Sequence, residues 1–223
     1  MKMVIKMREK NVIDFYMICH RLKNTLRGGW VTWHIDAERI ESVAEHIYGT
    51  QMLAIAMKSE FEEFKDIDIL KVIYMLAIHE MAETVTGDIP MNQISAEDLH
   101  KLEHETVHEL FKTILDGEKI EKIWQEFDNQ ESKEAVFAHF CDKLECDIQA
   151  RIYDETTKVD LTIQEDNPSY LRDIVKQTLE KYKDNKHSWS SYWIKLDQEL
   201  LHYPKEFKEV SEYIFENEIT NKD

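Results

Sequence analysis

Apolar residues recur along this chain at the three- and four-residue intervals of amphipathic helices. Val12, Phe15, Tyr16, Cys19 and Leu22 trace one face of a helix over about residues 10–25, and Arg27-Gly28-Gly29-Trp30 interrupts the pattern as a loop. Val43, Ile47, Ala54 and Met57 form the next stripe, which predicts a helix from Ile40 to about Phe61. Asp68 stands where a third helix needs its N-cap, and the body that follows, ILKVIYMLAIHEMAETV, is apolar nearly all round. Such a helix is expected to be buried, and Thr86-Gly87-Asp88-Ile89-Pro90 ends it with a Gly followed by a Pro. Ser95 opens a helix over about 95–115 that Gly117 closes. Shorter helices are predicted over about 118–128, 132–153 and 168–185, and the aromatic-rich segment 188–218 supplies one or two more.

Composition supports the same all-α class. Five Gly and three Pro in 223 residues are too few for a sheet-rich chain, which needs turn residues every ten or so positions. With no repeat, low-complexity segment or linker, the expected organisation is one domain over 1–223, a core of about 10–155 and a helical C-terminal extension of about 165–220. The formal charge of -17 argues against binding a nucleic-acid polymer or an anionic membrane, since both rely on Lys and Arg. A small anionic substrate stays possible where a metal and local cations reverse the field. Cys19, Cys141 and Cys146 form no disulfide framework and read as thiols of a reducing compartment. The longest apolar run, Val72 to Ile78, is seven residues and the first residues are not those of a signal peptide, so a cytoplasmic location is the expectation.

Chemistry concentrates at three places. His79, Glu80 and Glu83 lie within five residues near the end of the buried third helix, where ionisable groups are costly unless paired or bound to metal. At helical spacing His79 and Glu83 are i,i+4 neighbours and Glu80 lies about 100° round. That placing allows two metal ligands and a carboxylate beside a bound water, although two solvated residues near a helix end would look similar. The second place is Glu45-His46; the third is Asp142, on a stripe with Ala138 and Glu145 beside Phe137, Phe140, Cys141 and Leu144. Each of these alone is more often a packed or solvated residue than a ligand. His100, His104 and His108 fall at i, i+4, i+8, a spacing able to bind a transition metal, yet the Glu and Lys around them mark a solvated face. HEMAE differs from the HExxH protease helix because Glu83 replaces the second histidine. Cys141 has no identifiable base and reads as packing.

Taken together, Arg27-Gly28-Gly29-Trp30, the run from Glu41 to His46, His79-Glu80-Met81-Ala82-Glu83, Thr86 to Pro90 and Asp142-Lys143-Leu144 resemble the HD-domain phosphohydrolases. The resemblance covers about residues 10–155 and is nearer to the 5'-deoxynucleotidase branch, bacterial and eukaryotic. It implies an HD-type helical bundle and a divalent metal held by His46, His79, Glu80 and Asp142. It further implies that Arg27 binds phosphate, that Glu83 and Asp88 serve the phosphate and leaving group, that Trp30 contacts a nucleoside, and that the protein is a homodimer. The family takes its name from a His-Asp pair; here the pair is His79-Glu80. The spacing from Trp30 to His46 is about two residues long for the family, which makes Trp33 an alternative base contact. Imidazole with carboxylate suits Mn, Co, Fe, Zn or Ni, whereas Mg prefers more oxygens.

The expected function is therefore hydrolysis of (deoxy)nucleoside 5'-monophosphates. The alternatives are another phosphoester (a nucleoside triphosphate, a cyclic dinucleotide or a non-nucleotide phosphate) and a regulatory module that binds metal and nucleotide without turnover.

Overall fold

In the computed structural model, which describes residues 2–90 and 93–220, the chain is helical throughout. Helix α1, Lys2–Cys19, runs on into a 3₁₀ turn at His20–Lys23, and α2 is the short helix Gly28–Thr32. Helix α3, Val43–Glu60, starts at a capping box in which Ser42 and Glu45 bond each other's backbone amides, an arrangement worth about 1 kcal/mol. Asp68 caps α4, Ile69–Ile78, by accepting from the amides of Leu70 and Lys71. A single turn, α5, covers Glu83–Thr86. Ser95 caps α6, Ala96–Phe111; α7 is Gly117–Asp128; and Ser132 caps α8, Lys133–Thr156. The remaining helices are α9, Asp173–Lys181, α10, Ser188–Leu201, and α11, Lys205–Glu216. Among the described residues the one β pairing is an isolated bridge between Leu26 and Ser42.

Several boundaries depart from the sequence pattern. The Arg27–Trp30 segment is not a loop, because Gly28 begins a helical turn. Gly117 opens α7 instead of closing α6, which stops at Phe111 and hands over to i→i+3 turn bonds at Thr113 and Ile114. The third helix is not continuous to Val85: α4 ends at Ile78 and the chain turns through 79–82 before α5. Nor is that helix buried all round, since Leu70 is 79% exposed and Tyr74 41%.

Helix α8 lies at the centre, with buried residues on most of its turns. Ala138, Cys141 and Leu144 meet Ala54 and Met57 of α3, Val72 and Leu76 of α4, Ile194 of α10 and Phe207 of α11. A second cluster joins Trp30, Trp33 and Ile35 to Tyr153, Trp189 and Tyr192. The third packs Leu22, Val43, Ile78, Met81, Phe111 and Trp124. Full burial of one such side chain contributes roughly 1.5–3 kcal/mol, so the aromatic C-terminal helices are part of what holds the fold. Trp189, Tyr192, Tyr203 and Phe207 are buried, whereas Tyr213 faces outward. Arg151 of α8, 2% exposed, ties α11 down by donating to the carbonyls of Ile214 and Phe215, both at 3.1 Å. No helix of the described residues is long and apolar enough to cross a membrane.

Candidate metal centre

The first turns of α3, the end of α4 and the middle of α8 meet around a small set of side chains. The capping box fixes where α3 begins and so places His46 facing α8, wholly buried. Its ring is held on both sides by carboxylates one turn apart on α8: Nε2 lies 3.0 Å from Asp142 Oδ1 and Nδ1 lies 2.6 Å from Glu145 Oε2. His79 follows the last residue of α4, and its Nδ1 donates to the Leu76 carbonyl at 2.8 Å. That bond leaves the lone pair of Nε2 free to accept, yet Nε2 is buried without a hydrogen-bond partner. It faces Glu80 Oε1 at 3.6 Å and Asp142 Oδ1 at 3.7 Å, and His46 Nε2 is 3.7 Å from the same Glu80 oxygen. These separations are too long for hydrogen bonds and suit donors arranged about a common cation.

An orphaned imidazole nitrogen aimed at two carboxylates is the fit expected of a metal site. His46, His79, Glu80 and Asp142 each offer one atom, all within 4.8 Å of one another, and could hold an ion. The four residues expected as ligands are thus together, with Glu80 reaching the same cluster that an aspartate would serve.

The turn after α4 explains how Glu80 and Glu83 part company. Trp124 of α7 donates its indole N–H to the His79 carbonyl at 3.0 Å, taking the acceptor that the Glu83 amide would use in a continuing helix. Glu83 bonds the Glu80 carbonyl instead, and Met81 and Thr84 likewise make i→i+3 bonds. A 3₁₀ path advances about 120° per residue, so Glu83 leaves the face of His79 and the expected i,i+4 relation is lost. Glu83 instead sits among Glu80, Asp88 and Arg27, whose charges act on it. Arg27 Nη1 lies 3.1 Å from Glu80 Oε1 and 3.2 Å from Asp88 Oδ2, and the same Asp88 oxygen accepts from the Gly28 amide at 3.0 Å. Glycine is required at 28: a Cβ there would lie 2.5 Å from the Asp88 carbonyl oxygen. Arg27-Gly28 and Gly87-Asp88 are therefore clamped to one another.

The electrostatics follow from packing these acids together. Burial would raise the Asp142 carboxyl, but the Lys143 charge and the His46 hydrogen bond hold it well below its ordinary value. Burial also works against ionised Glu80, which His79 and Arg27 hold low. For Glu83 the opposing pull of Arg27 is too small: burial, then the charges of Glu80 and Asp88, push it up to about 11, so it carries a proton. Burial and then Arg27 work against a charged His46, but Glu145 and Asp142 raise it to about 9, and Asp142's neighbour Lys143 is raised by the Asp142 charge.

Two cavities adjoin the cluster. One, of about 240 Å³, is lined by His79, Glu80, Glu103, Asp128 and Asp142. The other, of about 200 Å³, is walled by Arg27, Trp30, Trp33, Asp88 and Trp193. Lys143 lines both, with Nζ 2.8 Å from Asp142 Oδ2. Trp30 is not on a loop surface. It is 2% exposed, donates to Glu41 Oε2 at 2.9 Å and packs against Trp193, with ring centroids 5.0 Å apart. Trp33 is as deep, against Tyr192 and Trp189.

Sequence reasoning assigned no individual site role to Glu145, Lys143, Trp124, Glu41 or Trp193, although Glu41 and Lys143 lie in the motif segments and Trp193 in the aromatic tail read as closing the core or forming a dimer face. Glu145 and Lys143 sit within three residues of Asp142 and Glu41 five before His46, which is a usable signal; Trp124 and Trp193 reach the site only through tertiary packing. The His100 and His108 rings stay exposed, in keeping with a solvated face.

The comparisons agree with this geometry. The family model of the HD domain matches residues 19–183. The 5'-deoxynucleotidase HDDC2 of Xenopus laevis is 31% identical over 178 residues, covering 78% of this chain and 81% of that protein. That of Dictyostelium discoideum is 32% identical over 151 residues, 65% of this chain and 78% of its own length. Among solved structures, a protein from Magnetospirillum magnetotacticum described as a predicted metal-dependent phosphohydrolase superposes with a TM-score of 0.60 at 19% identity, covering 94% of this chain and 91% of its own. A Pyrococcus horikoshii protein gives 0.62 at 20% identity, over 92% of this chain and 98% of its own. With the matched segment spanning α3 to α8 and the histidine and acid side chains converging there, the chain belongs to the HD-domain phosphohydrolase family.

Proposed function

We propose that the protein is a metal-dependent phosphomonoesterase that cleaves (deoxy)nucleoside 5'-monophosphates to nucleoside and phosphate. The observation that carries this reading is the adjacency of the four-donor cluster to an aromatic-walled cavity, with Arg27 and Lys143 between them. The relatives named 5'-deoxynucleotidase support the substrate class.

A divalent ion held by His46, His79, Glu80 and Asp142 would supply Lewis-acid polarisation of the phosphoryl group and acidify water for attack. Arg27 offers the phosphate a planar fork of donors, oriented by Asp88. Glu83 holds a proton beside Arg27 and is the group positioned to deliver it to the departing 5' oxygen. Trp30 and Trp33 give the nucleoside an apolar wall, with Trp30 kept in place by Glu41. Imidazole and carboxylate donors favour Mn, Co, Fe, Zn or Ni over Mg.

The test is phosphate release by metal-loaded protein across nucleoside monophosphates, triphosphates, cyclic dinucleotides and non-nucleotide phosphoesters. Release from deoxynucleoside monophosphates, abolished in Asp142→Ala, is expected. No release from any monophosphate, alongside release from another class, transfers the site to that class. Nucleotide-dependent thermal stabilisation with no release from anything identifies a regulatory module instead. The homodimer is part of this proposal and is read by light scattering.

A further inference from the structure

Helix α6 presents His100 and His104 one turn apart, and the end of α7 brings a carboxylate to both of them. Asp128 Oδ2 lies 2.8 Å from His104 Nε2 and 3.3 Å from His100 Nε2. The two rings face each other with centroids 4.1 Å apart. Tetrahedral zinc with bonds of about 2.0–2.1 Å needs donor atoms about 3.3 Å apart. The His100 pair already has that separation, and the His104 pair reaches it by opening about half an ångström, as a hydrogen bond gives way to coordination. Histidines at i and i+4 put two imidazoles on one helix face, and a carboxylate from a second helix completes three donors. A fourth position stays on the solvent side, where His100 is 58% exposed.

We propose that His100, His104 and Asp128 form a second divalent-metal site, for the imidazole-preferring ions zinc, nickel and cobalt, at the rim of the cavity that holds the first. Asp128 lines that cavity together with Glu80 and Asp142. The two sites are also joined through Trp124, whose ring packs on His104 at 4.8 Å while its N–H holds the His79 carbonyl. An ion here cross-links α6 to α7 and adds positive charge beside the carboxylates of Glu80, Glu103 and Asp142 in that cavity. The assignment stands whichever phosphoester the family site cleaves, since it needs only these three side chains.

Chelator-stripped protein is loaded with excess zinc, desalted and analysed for metal per chain. Two zinc are expected for the wild-type chain, one for His100→Ala/His104→Ala, and one for Asp142→Ala, which loses the family site and keeps this one. One zinc in the wild type, or two in the double-histidine variant, overturns the proposal. Competition against a chromophoric chelator separates three donors from a bare histidine pair. Asp128→Asn should weaken the second zinc at least tenfold, and an unchanged affinity refutes the three-donor site. Because His100 is a surface side chain and His104 a partly exposed one, the double variant should melt with the wild type in chelator. Zinc should still raise the melting temperature of Asp142→Ala, and no shift there counts against the site.

Discussion

Gly49 decides whether His46 keeps its partner. It lies three residues after His46 on α3, and a Cβ at that position would stand 2.5 Å from Glu145 Oε1, 3.1 Å from its Cδ and 3.2 Å from its Cγ. The other oxygen of that carboxylate is the one bound to His46 Nδ1 at 2.6 Å. Glu145 is 8% exposed on the central helix. In Gly49→Ala its carboxylate must retreat by roughly 0.7 Å or more to restore van der Waals contact, which draws the bond to the imidazole out to the edge of hydrogen-bonding range.

Two effects then oppose one another in stability. Loss of a hydrogen bond involving a charged group costs about 1.5–3 kcal/mol, and Ala for Gly inside a helix returns about 1 kcal/mol. The net change is therefore a loss of about 0.5–2 kcal/mol. Metal affinity has no such compensation, because the partner that orients a ligating histidine is worth about 10–100-fold. Calorimetric titration of manganese or cobalt into chelator-stripped protein, with thermal melts in chelator, reads the two separately. Affinity should fall by 10-fold or more. Glu145→Gln, which keeps the space but loses the charge, should lie between. Wild-type affinity in Gly49→Ala refutes the orienting role of Glu145; a wild-type chain that binds no ion refutes the metal centre itself.

The remaining predictions draw on other contacts. Trp124→Phe keeps most of the packing but removes the N–H that takes the His79 carbonyl; it should lower stability by about 1 kcal/mol in denaturant melts and weaken metal binding. Arg27→Lys keeps a charge near Glu80 and Asp88, both of which Nη1 contacts, but loses the second nitrogen of the planar fork, and should lower kcat/KM by about 100-fold. Near-normal kinetics would remove Arg27 from the phosphate site. Asp147 is wholly buried, with Oδ1 unbonded and Oδ2 accepting from the Tyr203 hydroxyl. Burial and then Asp197 raise Asp147 well above its ordinary value, and burial raises Asp197 to about 6. Folded carboxyls with raised values bind more protons than the unfolded chain, so their stabilisation is complete below about pH 4 and is lost as pH rises through 6 and beyond. Asp147→Asn should therefore exceed the wild type by about 2 kcal/mol at pH 8 and by little near pH 4. A stability difference that is the same at both pH values contradicts the raised carboxyls.

What was legible in the sequence was local. Asp68 and Ser95 cap amides two or three residues away and begin their helices where the pattern predicts, and Ser42 with Glu45 and Ser132 cap in the same local way, although α3 starts at Val43 and not at Ile40. The four-donor set was legible only through the resemblance of the motif order to the HD-domain phosphohydrolases, and the fold brings His46 of α3, His79-Glu80 after α4 and Asp142 of α8 together. What stayed hidden depends on residues far apart in the chain. The break after Ile78 exists because Trp124, 45 residues on, takes the His79 carbonyl, and no property of the ILKVIYMLAI run announces it. Trp30 looked like a loop aromatic because its enclosure comes from Tyr153, Trp189 and Trp193. The partner of His100 and His104 was hidden for the same reason: Asp128 is on another helix.

An acidic chain that hydrolyses a phosphoester must reverse its own field locally, and on the proposed reading Arg27 couples that reversal to metal. With Glu83 protonated, the acids Glu80, Asp88 and Asp142 face the cations Arg27, Lys143 and His46, so the metal-free site has no surplus of positive charge for a dianion. A divalent ion held by Glu80 and Asp142, even with His46 giving up its proton to bind it, would make the sum positive. Such an ion would also compete with Arg27 for Glu80, whose Oε1 lies 3.1 Å from Nη1, and so would release one N–H of that nitrogen for phosphate while its contact to Asp88 at 3.2 Å keeps the side chain oriented. Metal and phosphate should therefore bind cooperatively. Calorimetric titration of inorganic phosphate should give an affinity at least tenfold higher in cobalt-loaded than in chelator-stripped protein, and Glu80→Gln, which loosens the hold on Arg27, should narrow that ratio. Equal affinity with and without the ion would mean that Arg27 and Lys143 bind phosphate on their own, and the coupling through Glu80 would be wrong.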